Sequence, residues 1–344
     1  MAPGRLMKAA LLQEFGKPLV IADRRDPEPV PGQILIRVEA CGLCHSDLHL
    51  ARGDWEGFKA RMPIPAILGH EVAGRVAQLG VGSTRFREGD RVGVPWFHWT
   101  CGACSYCESD LEVFCDRSEI TGVTVDGGFA EYLAAWESHV IPIPETLTQE
   151  RAAPLFCAGA TVWSALRKID LDNSFHLGVW GVGGLGQYAI QLGKLAGARI
   201  SAVDILPARL EMARELGADI AVAAASEDDW FAVPEHRVDA ALVCATAANA
   251  YESAFRCLRK NGVLLVVGLP SRPLSWTAGD LVRSGIRIIP SRVASRREIA
   301  ELLGIAAQGK IRSPVERFRL DDINTALARL EQGTLAGRAV ICPA

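Results

Sequence analysis

No apolar run in this 344-residue chain approaches the ~20 consecutive residues that a membrane-crossing helix needs. Stretches such as VLLVVGLP after Gly262 end far short of it. Positive charge is not in surplus either: 37 Lys and Arg stand against 40 Asp and Glu, a net charge of -3. A cationic face for a phosphate backbone is therefore not expected, and nucleic acid is excluded as a first partner. The opening MAPGRLMKAALLQEFG lacks the long apolar core and small-residue cleavage site of a secretory signal, so a cytoplasmic protein is expected. Internal repeats and low-complexity linkers are missing. With 49% hydrophobic and 22% charged residues, the composition is that of a folded chain. What the chain does have is ten cysteines. In a reducing compartment, clustered cysteines are more often metal ligands than disulfides, and spacing decides between them.

The length exceeds one ordinary core, which predicts two domains. QILIRVEA, from Gln33 to Ala40, alternates apolar and polar residues as a half-buried strand does. HEVAGRVAQLG, GDRVGVPWF and GGFAEYLAA follow, broken by Gly, Pro and Asp, and predict a β-rich first domain. From Leu177 the texture changes to apolar strand, Gly-rich turn and amphipathic helix in alternation: LGVW, GVGGLG, QYAIQLGKLAG, ARISAVDI, PARLEMARELGAD. DAALVC, the helix-like YESAFRCLRK, GVLLVVGLP and IRIIPSR continue it. Such alternation predicts an α/β fold with a parallel sheet covered by helices. SRREIAELLGIAAQGK and FRLDDINTALARLEQG read as helical, and GRAVICPA as a closing strand. The expected division is a β-rich domain over 1–157, rejoined by 294–344, and a nucleotide-type domain over 158–293.

Gly181, Gly183 and Gly186 form GxGxxG between a strand and a helix, with Gly184 and Leu185 inside the turn. This is where a doubly wound dinucleotide domain holds a pyrophosphate against a helix N-terminus. The next strand ends in Asp204, where a carboxylate accepts from ribose hydroxyls and repels a 2'-phosphate, favouring NAD over NADP. The lesser reading of Asp204 is a cap before PARLEMARE, and Arg209, five residues on, could meet a phosphate, but Asp204 should dominate.

Cys101, Cys104, Cys107 and Cys115 lie within one short loop, a spacing that can close a tetrahedral shell around a structural zinc, with an iron-sulfur cluster as the alternative. A scattered set, Cys44, His70 and Cys157, offers one imidazole and two thiolates and would leave a zinc's fourth position open for substrate. Cys157 could instead be a core residue, and Cys41 with Cys44 a redox pair.

CGLCHSDLH, GHEVAG, CxxCxxCxxxxxxxC, LFCAGATVW and GVGGLG occur in the order found in zinc-dependent alcohol dehydrogenases of the medium-chain dehydrogenase/reductase superfamily, which the chain resembles from about Met7 to its end. Its length and the direct passage from LARGDWEGF to GHE are most similar to the compact microbial, tetrameric branch. The resemblance implies a GroES-like catalytic domain and a Rossmann domain. It also implies two zinc ions per chain, NAD as cofactor, a small alcohol or aldehyde as substrate, and a homotetramer, with a homodimer as alternative. Cys44, His70 and Cys157 would hold the catalytic zinc, with Glu71 able to replace its water and Asp47 orienting His70. Ser46 would take the substrate proton and His49 would pass it on. His45 and Arg338 would contact the pyrophosphate. Val267, Leu269, Ser291 and Val293 would line the nicotinamide side, and Trp55 with Trp96 would wall a pocket for slender alcohols. PSRVAS lacks a glycine that many relatives carry after Val293, and residues 1–6 extend beyond the usual start. The rival readings are a polyol dehydrogenase, against which Cys157 stands where many such enzymes have glutamate, and an NADP-dependent aromatic-alcohol dehydrogenase, against which Asp204 stands.

Overall fold

The computed structural model describes residues 5–224, 236–270 and 272–343. Strands β1 (Leu6–Leu12), β2 (Val20–Arg25) and β3 (Gln33–Gly42) lead to helices α1 (His45–Arg52) and α2 (Glu56–Lys59). Then come β4 (Ala66–Ile67), β5 (Glu71–Leu79), β6 (Arg91–Val94), β7 (Phe97–Trp99), α3 (Ser105–Glu108), β8 (Glu119–Ile120), β9 (Tyr132–Trp136), β10 (Ile141–Pro142), α4 (Gln149–Ala152) and α5 (Ala158–Leu166). The regular alternation follows: β11 (His176–Trp180), α6 (Gly186–Leu195), β12 (Arg199–Asp204), α7 (Pro207–Glu215), β13 (Ile220–Ala223), β14 (Val238–Val243), α8 (Ala248–Cys257), β15 (Leu258–Val266), α9 (Ala278–Ser284) and β16 (Arg287–Pro290). The chain closes with α10 (Arg296–Ala307), β17 (Val315–Arg319), α11 (Ile323–Glu331) and β18 (Arg338–Cys342). Two compact units result, one of Met1–Ala160, Ala294–Gly309 and Ser313–Ala344, the other of Thr161–Val293 and Lys310–Arg312.

In the first unit β10, β6, β5, β3, β18 and β17 form one sheet in that order, with β9 also on β3. The β3–β5 ladder is antiparallel and runs from Ile34 opposite Leu79 to Gly42 opposite Glu71, with irregularities at Leu35/Ile36 and Val38/Ala40. Its end matters most. Glu71, the first residue of β5, is fully buried there instead of facing water as strand alternation would allow.

In the second unit all six strands are parallel, in the order β13, β12, β11, β14, β15, β16. The order reverses between β11 and β14, and in such sheets ligands bind at the carboxyl ends of the strands around that reversal. HLGVW and VDAALV are buried along their whole length, as central parallel strands covered on both faces must be.

Two segments depart from their helical pattern. In YESAFRCLRK the helix stops at Cys257, and Leu258 instead pairs with Val238 as the start of β15. In FRLDDINTALARLEQG, Phe318 and Arg319 belong to β17, where they pair with Ile341 and Cys342 of β18. In both cases a partner strand outweighs local propensity.

The loop carrying Cys101 to Cys115 is tied to α10 by one multidentate ion pair. Glu112, nearly buried, accepts from the Arg296 backbone N–H at 2.8 Å, from Nε at 2.9 Å and from Nη2 at 2.6 Å, while Nη1 of Arg296 donates to the Ser138 carbonyl at 2.5 Å. Because the guanidinium is still 36% exposed, its desolvation is partial. Glu112→Ala should therefore lower stability by about 1–3 kcal/mol, read as a fall in Tm. An unchanged Tm would show that the pair contributes nothing.

Candidate functional site

Cys44 closes β3's loop and caps α1 in extended backbone, its sulfur accepting from the Ser46 N–H at 3.5 Å. The reciprocal half of this capping box is Asp47, whose Oδ2 accepts from the Cys44 N–H at 2.8 Å. The other oxygen, Oδ1, accepts from His70 Nδ1 at 3.2 Å and from the Gly69 N–H at 3.3 Å. One carboxylate thus joins the start of α1 to the loop before β5. With Nδ1–H spent on Asp47, the His70 lone pair is on Nε2, a buried atom that has no hydrogen-bond partner. The ligand atoms of Cys44, His70, Glu71 and Cys157 all lie within 4.8 Å of one another, and all four residues are buried.

The charges there are mutually dependent. Burial pushes the Glu71 carboxyl up to about 7, against the opposing pull of Arg338. Arg338 Nη2 donates to Glu71 Oε1 at 2.5 Å, whereas Oε2 is buried without a partner. The Cys44 thiol is held well below its ordinary value, first by a hydrogen bond from Cys157 and then by His70, against the opposing cost of burial. Cys157, the donor of that bond, is pushed up correspondingly. Gly42 makes the arrangement possible: a Cβ there would come within 1.8 Å of Glu71 Oε2.

The orphaned His70 Nε2, the unpartnered Glu71 oxygen and two converging sulfurs are what a Lewis-acid metal satisfies, so the donor set fits a zinc with an exchangeable position. The second cluster, Cys101, Cys104, Cys107 and Cys115, also keeps its sulfurs within 4.8 Å of one another. Sulfurs around a tetrahedral zinc are spaced by about 3.8 Å, and here Cys101–Cys107 and Cys104–Cys107 are 3.9 and 3.6 Å apart. All ten cysteines are free thiols. Four thiolates with no further donor make a closed site.

In the second unit, Gly181 follows β11 with φ +91°, and a Cβ on Gly186 would meet the Gly181 carbonyl oxygen at 2.0 Å. Gly183, Gly184 and Leu185 complete the turn, and Leu185, the N-cap residue of α6, gives no side-chain cap. Amides at that helix start are left for an anion. Asp204, at the end of β12, braces this loop: Oδ2 accepts from the Val182 N–H at 2.7 Å and Oδ1 from the Leu206 N–H at 2.9 Å. Each oxygen retains a second lone pair, so ribose hydroxyls can still donate to it. Arg209 lies over the same turn, Nη1 donating to the Val182 carbonyl at 3.1 Å. Val267 is buried and Leu269 exposed; the Ser291 N–H donates to the Val266 carbonyl at 2.9 Å. Val293 has φ +37°, a left-handed backbone that costs a β-branched residue about 1–3 kcal/mol.

On α1, His45 is exposed, while Ser46 and His49 are half-buried and three residues apart on one face. Asp54 Oδ2 lies 2.8 Å from His49 Nδ1, and Trp55 stacks on the same ring with centroids 5.0 Å apart. Trp55 leads through Phe58 to Trp96, with ring centroids 5.8 Å apart at each step, and Trp96 stands edge-on to His70 at 4.8 Å. Phe58 and Asp54 were not among the sequence candidates. The signal for them is local, in GDWEGF, but nothing in it marks which side chains turn inward.

Residues 30–145 match the family described as the alcohol dehydrogenase GroES-like domain, and residues 184–308 match zinc-binding dehydrogenase. An alcohol dehydrogenase of Geobacillus stearothermophilus is 40% identical over 337 residues, which are 97% of this chain and 99% of that protein. The crystal structure of the alcohol dehydrogenase from Aeropyrum pernix superposes with a TM-score of 0.91 at 32% identity, covering 98% of this chain and 100% of that one. Acetophenone reductase from Geotrichum candidum, solved in complex with NAD, gives a TM-score of 0.90 at 27% identity, covering 99% and 98%.

The two sulfur sites differ in what they should do. Wild-type protein is expected to carry two zinc equivalents. Cys104→Ser should lose one of them together with stability, because a closed site contributes folding free energy. Cys157→Ser should leave a folded chain whose turnover has dropped by several orders of magnitude. Metal analysis finding one equivalent or none in active wild-type protein would reject both assignments.

Proposed function

This chain belongs to the zinc-dependent alcohol dehydrogenases, and we propose that within that family it interconverts small alcohols, primary first and secondary as the alternative, and their aldehydes or ketones with NAD, using the residues described above. The observation that carries this reading is the buried group Cys44, His70, Glu71 and Cys157, with His70 Nε2 unpartnered and facing two sulfurs. Cys44, His70 and Cys157 would hold the catalytic zinc, and Cys101, Cys104, Cys107 and Cys115 a structural one. When bound, the catalytic metal supplies Lewis acidity that lowers the pKa of an alcohol and so lets its hydride leave near neutral pH.

Asp47 keeps His70 in its ligating tautomer. Glu71, held back by Arg338, is a carboxylate within reach of the same position. Arg338, expected on the cofactor pyrophosphate from the family resemblance, has Glu71 as its partner here, and the pyrophosphate role stays a proposal beside that of His45. Ser46 would take the hydroxyl proton and His49 receive it farther along α1. Amides of the turn at Gly181, Gly183, Gly184, Leu185 and Gly186 would bind the pyrophosphate, Asp204 the adenosine ribose, and Arg209 its neighbourhood. Val267, Leu269, Ser291 and Val293 would flank the nicotinamide.

Trp55, Phe58 and Trp96 are an aromatic series that ends on a metal ligand, which supports a slender substrate over a bulky one. Among the described residues no helix is long and apolar enough to cross a membrane. A cytoplasmic homotetramer remains our reading from the microbial branch the sequence resembles, and size-exclusion chromatography with light scattering tests it.

Asp204 braces the turn and in this reading would also accept from the ribose, so Asp204→Ala should lower kcat/KM for NAD about 10- to 100-fold, the effect of losing a charged hydrogen bond, and raise the NADP-to-NAD ratio. Steady-state kinetics with both cofactors checks this, and an unchanged ratio would reject the role. Trp96→Ala should shift kcat/KM toward longer and branched alcohols by a factor that grows with substrate size, since each methylene in an apolar pocket is worth ~1–3 kcal/mol. A panel of straight, branched and benzylic alcohols reads the order. Should the wild type already prefer bulky secondary alcohols and the variant keep that order, the small-alcohol reading falls.

A further inference from the structure

The loop after α1 holds its histidine from three sides. Helix α1 ends at Gly53 in the left-handed region, φ 73°, and this turn brings Asp54 back over the last helical residues. The Asp54 N–H donates to the His49 carbonyl at 3.0 Å while its own Oδ2 lies 2.8 Å from His49 Nδ1. Backbone and side chain of Asp54 therefore both engage residue 49. The indole of Trp55 stacks on the ring at an interplanar angle of 28°.

A neutral imidazole has one donor and one acceptor nitrogen, and the hydrogen bond made by one fixes the role of the other. A carboxylate only accepts, so Nδ1 carries the proton and the lone pair is on Nε2. No protein group among the described residues bonds Nε2, and the His49 side chain is 26% exposed, enough to exchange with water. An isolated surface ion pair would merely add a few tenths of a kcal/mol. The geometry here does something else, because tautomer, tilt and rotation of the ring are all set.

We propose that Asp54 is a positioning residue for proton transfer: it holds His49 in the tautomer whose Nε2 can accept the proton that the alcohol releases. The proposal rests on the reading of His49 as the outer member of the relay from Ser46. In alcohol oxidation the carbinol carbon gives its hydride to NAD and the hydroxyl gives up a proton. Ser46 passes that proton outward, His49 Nε2 takes it to form an imidazolium balanced by Asp54, and the ring returns it to water, leaving both residues as they began. If Asp54 were missing, the ring could carry its proton on Nε2 and would then present a donor where the relay needs an acceptor.

The test compares D54A, D54N, H49Q and the D54A/H49Q double variant, all as holoenzyme with metal content verified. The 15N shifts of histidine-labelled protein report which His49 nitrogen is protonated, independently of turnover. D54A should mix the two tautomers and lower kcat for alcohol oxidation ~10-fold, a share of what a positioned base contributes, with KM for the alcohol unchanged. D54N should restore neither in full, because its amide can donate to Nδ1 as readily as accept from it and carries no charge to balance the imidazolium. On the H49Q background D54A should have no further effect. An unaltered His49 tautomer in D54A, or a full D54A loss persisting in H49Q, would overturn the proposal and mark the residue as a loop anchor only. Wild-type kcat in H49Q would instead remove the relay reading of His49, an outcome distinct from any of these.

Discussion

The buried carboxylate of Asp47 is the contact on which the metal site depends. It is fully removed from solvent yet satisfied by three donors, the N–H groups of Cys44 and Gly69 and the His70 ring. An ionised carboxylate buried without such partners would cost several kcal/mol. With them, it ties the start of α1 to the loop before β5. The same bonds orient one ligand and cap the helix that begins at another. Removing Asp47 would therefore free His70 to rotate, loosen the Cys44 cap and leave two buried amides unpaired at once.

A second carboxylate in the site behaves differently because its surroundings are incomplete. Glu71 has one oxygen paired with Arg338 and one with no partner, and burial keeps its proton affinity near neutrality. The unpartnered oxygen leaves Glu71 able to meet a further donor or a metal while it keeps Arg338, whereas three donors hold Asp47 in place. In the other unit Asp204 uses the Asp47 strategy again, bridging two backbone amides across a turn with a single side chain. The turn is thereby shaped before any ligand arrives, so less ordering is needed on binding.

From His70 outward the structure becomes aromatic, through Trp96, Phe58 and Trp55 to His49. Flat rings with two torsions each lose little entropy when fixed, and they exclude water over a large area. A dry surround strengthens the electrostatics at the candidate metal ligands, while in the proposed relay the exposed edge of His49 would open to solvent.

What the sequence determined by itself was whatever is local in the chain. Four cysteines within one short loop, glycines between a strand and a helix, and an acid at the end of the next strand are short-range patterns, and their steric and coordination requirements can be read without a fold. The α/β alternation of the second unit is legible for the same reason. Tertiary structure decided the rest. Cys44, His70 and Cys157 each had an ordinary reading until β3, β5 and the turn before α5 brought them together. That Arg338 would face Glu71, 267 residues away, has no signature in either segment. Nor could periodicity reveal that Leu258 to Lys260 leave a helix for a strand, since the ladder partner that draws them in lies elsewhere. Asp54 and Phe58 sit beside recognised residues, yet only the left-handed turn at Gly53 and the packing of α2 determine which way they point. Spacing along a chain fixes what neighbours can do together, and long-range packing, with its burial of charge and its unpaired atoms, fixes which distant groups become neighbours.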